Sequence, residues 1–250
     1  MIIFINIHLL IIMLSLSLFS DEKILMIFKP EGKTLCYRMS FEMEVNLREG
    51  ILKKTLHKEY IYGNLLLHSG MSFGDVTPCV IRIECPDFDK QIQDIHATLD
   101  ERGRINNYLT IDDAREIING VQLRDILNNL LPKLGGRVKM NSVWSKSGEL
   151  AYYAPAFDSV PSMKILIRLD NKYQVTYLDP VSLSAEITGQ IALEGKRYNS
   201  DKIELSGKSK NVRGHIEFSN EGYFTSFEVE YKVETNELPL DATIRFSLSL

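Results

Sequence analysis

The residues Gly70-Met71-Ser72-Phe73-Gly74 fit the G-x-S-x-G pattern of a nucleophile elbow. In that motif a strand-to-helix turn lifts the serine clear of the sheet, beside backbone donors that stabilise an oxyanion. Here Asp75-Val76-Thr77-Pro78 and a strand-like run follow, so the required helix is missing and a Gly-rich surface loop is expected. His57, His68, His96 and His215 show no His-x-His or His-x-x-x-His spacing, and no cysteines are paired at zinc-site distance. Asp87-Phe88-Asp89 lacks the following Asp/Asn-Gly and the distal Glu of a calcium loop. No catalytic residue, metal ligand or cofactor is therefore expected, and the reading is of a non-enzymatic protein.

The cysteines Cys36, Cys79 and Cys85 carry the remaining reactive chemistry. The segment Cys79–Cys85 alternates like a strand and spans about 20 Å, whereas a disulfide needs Cα atoms within about 7 Å. These two are not expected to pair with each other. Cys36 could pair with either if its strand lies alongside; otherwise all three are reduced, buried and act as small apolar residues. Trp144, the single tryptophan, either lines a ligand mouth or anchors packing beneath helices.

Such residues must be positioned by strands. Leu35, Tyr37, Met39, Phe41, Met43, Val45 and Leu47 alternate with polar residues, the period of a strand with one dry face. The same period runs through Val181–Leu193, Tyr223–Val233 and Ala242–Leu250, with weaker strands at 58–68, 93–99, 104–109, 164–169, 172–178, 202–206 and 212–218. Turns at Arg48-Glu49-Gly50, Asp100–Gly103 and Ser219–Gly222 place Gly where a hairpin needs positive φ, which makes neighbours antiparallel. One region, about 110–131, predicts a helical hairpin. Thr110 and Asp113 form a capping-box pattern, Ile111, Ala114, Ile117 and Ile118 a first stripe, and Leu123, Ile126, Leu127, Leu130 and Leu131 a second. The expected fold is mainly β: long-stranded antiparallel sheet forming a curved half-barrel or sandwich. It is one β-rich domain over 21–250, or two halves, 33–109 and 138–250, joined by the helical region.

The chain has 250 residues, net charge −4, 44% hydrophobic and 25% charged residues. These values suit a globular protein and exclude a disulfide miniprotein, a disordered tail and a collagenous repeat. They give no electrostatic reason to expect nucleic acid as a partner. Met1–Phe19 contains no Asp, Glu, Lys or Arg. It reads as a signal peptide ending near Ser17 or Ser20, so that residues 1–20 are removed, with a retained membrane anchor as the alternative. Export to the periplasm or the extracellular space is expected.

Leu131-Pro132 with Val138-Lys139-Met140-Asn141-Ser142-Val143-Trp144, and Val212–Phe218 with Gly222-Tyr223-Phe224, resemble an uncharacterised family of exported bacterial β-rich proteins. The likeness lies mainly in 131–144 and 212–233, with Asn141 where those proteins carry Gly. It implies a signal peptide and a β-rich domain, and no activity or site residues.

Alternating runs of 11 to 14 residues reach about 35–45 Å, so the dry face is large and must be covered. Three coverings are expected as alternatives. A bound lipid or other apolar small molecule in a concave β face leads, with Phe41, Met43, Trp144, Phe227 and Tyr231 as the contacting residues. The others are a second sheet, giving a closed structural or interaction sandwich of the cell envelope, and lipid around an outer-membrane barrel.

Overall fold

A computed structural model describes residues 24–49, 52–85, 94–100, 103–106, 116–118, 121–122, 128–129, 136–154, 162–197, 203–236 and 240–250. The segment read as a signal peptide lies outside the described residues, as does Asp87–Asp89.

Alternation of apolar and polar residues builds the strands in chain order. They are β1 (Ile24–Met26), β2 (Thr34–Glu49), β3 (Leu52–Ser69), β4 (Val76–Glu84), β5 (Ile95–Asp100), β6 (Ile105–Asn106), β7 (Glu116–Ile118) and β8 (Val121–Gln122). There follow β9 (Gly136–Val138), β10 (Val143–Ala154), β11 (Met163–Leu178), β12 (Ser182–Arg197), β13 (Ile203–Ser219), β14 (Tyr223–Thr235) and β15 (Leu240–Ser249). Eleven of them form one antiparallel sheet in the order β10-β11-β12-β13-β14-β15-β2-β3-β4-β5-β6. The weaker strands predicted at 164–169 and 172–178 are one strand, β11, and those at 202–206 and 212–218 are β13.

The predicted helical hairpin at 110–131 is overturned. Glu116–Ile118 and Val121–Gln122 pair antiparallel as β7 and β8, with Ile118 opposite Val121, and among the described residues only Asn128 and Asn129 are helical, too few to make an element. The stripe ending in Ile117-Ile118 is β-branched, and Asn119-Gly120 is the dipeptide that most favours a two-residue hairpin loop. Reading Gly120 as an interruption of a helix missed that signal. The rest of the capping box and both stripes lies outside the described residues.

The sheet curls. Asn171 on β11 donates from Nδ2 to the Tyr231 hydroxyl on β14, at 2.7 Å, across two intervening strands. Three strand spacings are about 14 Å on a flat sheet, beyond the reach of two side chains standing perpendicular to it, so this face is concave. Glycines permit the tight approach of neighbours: a Cβ at Gly63 or Gly214 would strike the carbonyl oxygen of Glu84 or Glu228. The two edge strands then meet a common staple. The Asn128 side chain accepts from Ile105 N (3.0 Å) and donates to Ile105 O (3.3 Å) on β6. On the other edge, Lys146 Nζ donates to Asn128 O and Glu149 N donates to Asn129 Oδ1 (3.1 Å), both from β10.

The concave face is apolar and buried: Phe41 on β2, Ile81 on β4, Leu169 on β11, Ile187 on β12, Ile216 on β13, Phe227 on β14 and Phe246 on β15. The opposite face is charged. Across five strands run Lys58–Glu42 (2.9 Å), Glu42–Arg245 (2.7 Å), Arg245–Glu230 (2.8 Å) and Glu230–Arg213 (2.9 Å), an alternating ladder at cross-strand spacing.

At the end where the even-numbered strands of this sheet begin, here the upper end, a short ribbon lies across the mouth. β1 pairs with β9, burying Met26 and Val138. The chain then passes Gly222, whose carbonyl accepts from Lys29 N at 2.9 Å. Gly222 has φ 89 and no room for a Cβ against Lys29, so this contact needs glycine. Phe28 stacks on Phe224 (centroids 5.3 Å), which Phe218 meets edge-on.

Candidate functional site

The five residues expected to meet an apolar ligand all lie on the buried or partly buried apolar side of the sheet. Phe41 and Met43 on β2 stand opposite Phe246 and Ile244 of β15. Phe227 stacks obliquely with Phe246 (5.8 Å), and Tyr231 is fully buried. Trp144 stacks on Tyr173 (5.2 Å, 14°), so it packs on a strand of its own sheet rather than under a helix. The structure thus brings Phe227, Phe41 and Met43 into one packed zone spanning β14, β15 and β2, with Tyr231 beside Ile244, while Trp144 joins from the β10 edge.

That zone contains a polar group no periodicity argument singled out. Asn171, only 2% exposed, has Nδ2 within 2.7 Å of the Tyr231 hydroxyl and 3.4 Å of the Tyr173 hydroxyl, and its Oδ1 has no partner among the described residues. Turning the amide over would satisfy both hydroxyl donors and orphan the NH2 instead; either way one end of the amide stays unpaired. Burial pushes the Tyr173 phenol up to about 12, against a smaller opposing effect of Asn171, and pushes Tyr231 higher still. Both hydroxyls remain protonated donors across the physiological range. The signal for Asn171 was present: it shares the parity of Leu169 and Tyr173 on β11, but it was read as a gap between two strands.

The β2–β6 side of the concave face is also buried, with a small gap at its upper end. Between β2–β6 and the upper ends of β14 and β15 lies a small apolar cavity of ≈ 30 Å³. Tyr37, Leu67, Ile81, Leu99, Phe224 and Phe28 are among its lining residues, and none of the described lining residues carries a charge. Tyr37 is 2% exposed, and its hydroxyl has no hydrogen-bond partner among the described residues. Burial, with Tyr223 nearby, raises its pKa far above that of an ordinary phenol. Sequence alternation placed Tyr37 on the dry face but carried no sign that its hydroxyl would be orphaned.

The motifs that could have carried chemistry lie outside this face. Ser72 sits in the loop before β4; its Oγ is 2.7 Å from Thr77 Oγ1, and its N–H donates to Glu31. A strand follows it, as the sequence indicated, so the elbow geometry is not formed. His68 Nδ1 lies 2.9 Å from Thr34 Oγ1, and His215 lies near Glu217. Among the described residues no group of three His, Cys, Asp or Glu side chains is placed to hold a metal ion. The cysteines are free, and β3 separates Cys36 on β2 from Cys79 and Cys85. The expectation that all three are buried fails for Cys36, which projects from the solvated face, and for Cys85, which is only partly buried; Cys79 is buried, and burial raises its thiol pKa to about 12.

Exposed apolar side chains are concentrated at one end. Met71, Phe73, Met140, Tyr177, Val181 and Leu250 lie around the upper mouth, Phe73 being 79% exposed. Val181, expected on the dry face, is in the β11–β12 turn and 66% exposed. Among the described residues the only large exposed apolar side chains away from this end are Tyr60 and Tyr62 on β3, which stack on each other. Comparison of the chain with protein-family models, curated proteins and solved structures finds no match in any of the three.

Proposed function

We propose that this is an exported, non-enzymatic protein that binds an apolar ligand within the curled sheet, admitting it through the upper end. The observation that carries the reading is the coincidence of two features at that end. A small apolar cavity lies beneath Phe28, in the arm that joins β1 to β2, and exposed apolar side chains surround the upper end of the sheet above it. A water-facing protein gains nothing in its own fold from Phe73 or Val181 in solvent, so a grouping of such residues marks a contact with an apolar partner. The charged ladder from Lys58 to Arg213 argues for a wall that faces water. A membrane barrel needs the reverse polarity, apolar outside and polar within.

A closed structural or interaction protein without a ligand is the second reading, and the packed zone favours it. Phe227, Tyr231, Phe246 and Val175 are completely buried, leaving no room for a ligand between β11 and β15. On the binding reading this zone is the rigid wall and the β2–β6 side is the receptive one. Gentle purification followed by mass spectrometry of an organic extract tests the choice. A co-purifying lipid or other apolar compound is expected. An empty extract, together with no uptake of N-phenyl-1-naphthylamine by the full chain, would leave the closed structural or interaction protein as the reading.

A further inference from the structure

We infer that the space beneath Phe28 is a site for a neutral, oxygen-bearing hydrocarbon chain, with the Tyr37 hydroxyl as its hydrogen-bond donor and Phe28 as its removable cover. The inference rests on the apolar-ligand reading and adds the chemical class, the orientation and the point of entry.

The Tyr37 hydroxyl is the starting point. It is buried on the wall of a cavity whose lining is otherwise apolar, and no described group satisfies it. A buried hydroxyl without a partner is a cost that phenylalanine at the same position would avoid. An internal water does not account for it. Buried waters typically make about three hydrogen bonds, and here the hydroxyl is the polar side-chain group on the wall. A ligand atom does account for it. The phenol remains protonated, so it donates and the ligand atom accepts. No charged side chain is among the described residues that line the cavity, and against these a carboxylate or phosphate would be uncompensated. Lys33, four residues before Tyr37, is engaged by Glu221 and lies over the Tyr223 ring. The accepting atom is therefore the oxygen of an ester, a ketone or an alcohol, and the rest of the ligand is hydrocarbon.

Phe28 supplies the cover. With its ring in place the cavity is ≈ 30 Å³, space for a water or two and not for a chain. Phe28 belongs to the arm ahead of β2, outside the eleven-stranded ladder; it is held by the Phe224 stack and the Lys29–Gly222 backbone bond, with the β1–β9 pairing before it and the Ser69 Oγ–Pro30 O hydrogen bond after it. Its Cβ and ring lie against Gly103, which has φ +74 and no side chain to compete for the space. Swinging this one ring outward joins the cavity to the apolar mouth at Met71 and Phe73.

The test uses the full chain and N-phenyl-1-naphthylamine fluorescence, with decane, 1-decanol and decanoate as competitors. Phe28→Ala should strengthen probe binding several-fold, and Phe28→Leu serves if the alanine variant fails to fold. Tyr37→Phe keeps the ring and removes only the donor. It should weaken 1-decanol roughly three- to tenfold, the worth of one neutral hydrogen bond, while leaving decane unchanged. Equal effects of Tyr37→Phe on decane and 1-decanol would overturn the inference while leaving an apolar site standing. Tighter binding of decanoate than of 1-decanol would overturn the chemical class. Absence of probe binding in both the wild type and the Phe28 variants would remove the apolar-ligand reading itself.

Discussion

Single residues carry more of the structure than their frequency in the sequence suggests. Asn141 is the one described non-glycine residue with positive φ, at 62°. Asparagine tolerates the left-handed region better than other non-glycine side chains. Asn141→Gly should leave stability within about 0.5 kcal/mol, whereas Asn141→Val should lower it by about 1–2 kcal/mol in urea unfolding. Equal stabilities for the two variants would show that the turn does not need this conformation. The buried phenols give a pH prediction. Tyr37, Tyr173 and Tyr231 all have pKa values raised above 10 by burial. As pH rises past about 10 the unfolded chain loses these protons while the folded protein keeps them, so stability falls. Each phenol adds a slope of up to about 1.4 kcal/mol per pH unit, Tyr173 until about pH 12. Urea midpoints measured upward from about pH 9 should show this fall, and Tyr37→Phe should make it shallower; an unchanged slope in that variant would contradict the burial of its phenol. Alternation in the sequence was enough to place Tyr37 and Tyr231 on the dry face. It could not reveal which hydroxyls find partners, because Asn171 and Tyr231 are sixty residues apart and meet only when the sheet bends.

Strands were legible where one face is wet. β2, β14 and β15 announce themselves by a period of two, and burial follows it along β15 from Leu240 through Leu248; it slips in β2 after the irregularity at Val45/Asn46, where Asn46 is buried, and at the start of β14, where Phe224, read on the polar side, is buried. β10 was missed because Val143-Trp144-Ser145-Lys146-Ser147-Gly148-Glu149 has few apolar residues at alternate positions. It is an edge strand, with Lys146 and Gly148 on the side that meets the Asn128–Asn129 staple. Edge strands need cover more than they need apolar side chains, and here asparagine supplies it. On this account Asn128→Ala leaves both Ile105 backbone groups without their partner and costs about 1–3 kcal/mol. Hydrogen exchange at Ile105 should accelerate while exchange in the middle of β12 stays unchanged. Uniform acceleration across the sheet would indicate global loosening rather than a released edge. The charged ladder on the outer face has its own pH signature. Burial alone would raise the Glu230 carboxyl, but hydrogen bonds from Arg245 and Lys232 outweigh it and hold the pKa below 4.5. Glu42 is lowered chiefly by Lys58 and then by Arg245. Stability from these groups is present above pH 4.5 and is lost as pH falls through the lowered values. Glu230→Gln should therefore flatten the acid side of the stability profile, and a profile as steep as that of the wild type would show that the ladder contributes nothing.

At the scale of the molecule, local periodicity leaves open one β-rich domain or two halves, because hairpins join sequence neighbours and say little about distant strands. What joins the two stretches is β15 against β2, in register from Leu240–Leu47 to Ser249–Arg38. This ladder is also where their apolar faces merge, Phe246 beside Phe41 and Ile244 beside Met43. Separating the stretches would expose two long edges and a dry face on each side, an arrangement that aggregates rather than folds. Consequently a chain divided between residues 110 and 115 and expressed as two fragments should yield a complex that co-purifies and unfolds in one transition. Either fragment expressed alone should be insoluble or unfolded. Disrupting the shared ladder with Phe246→Asp, which places a carboxylate opposite Phe41, should abolish co-purification, since a buried charge without a partner outweighs the hydrogen bonds of the strand pair. Two fragments that each fold as soluble monomers with separate melting transitions would instead show that the β15–β2 pairing is a contact between independent units, and the concave face could then not act as one surface. A single cooperative complex requires the packed zone and the ligand cavity to be two regions of one curled sheet, so that filling the cavity with N-phenyl-1-naphthylamine should raise the melting temperature of the whole complex and not of its β2–β6 side alone.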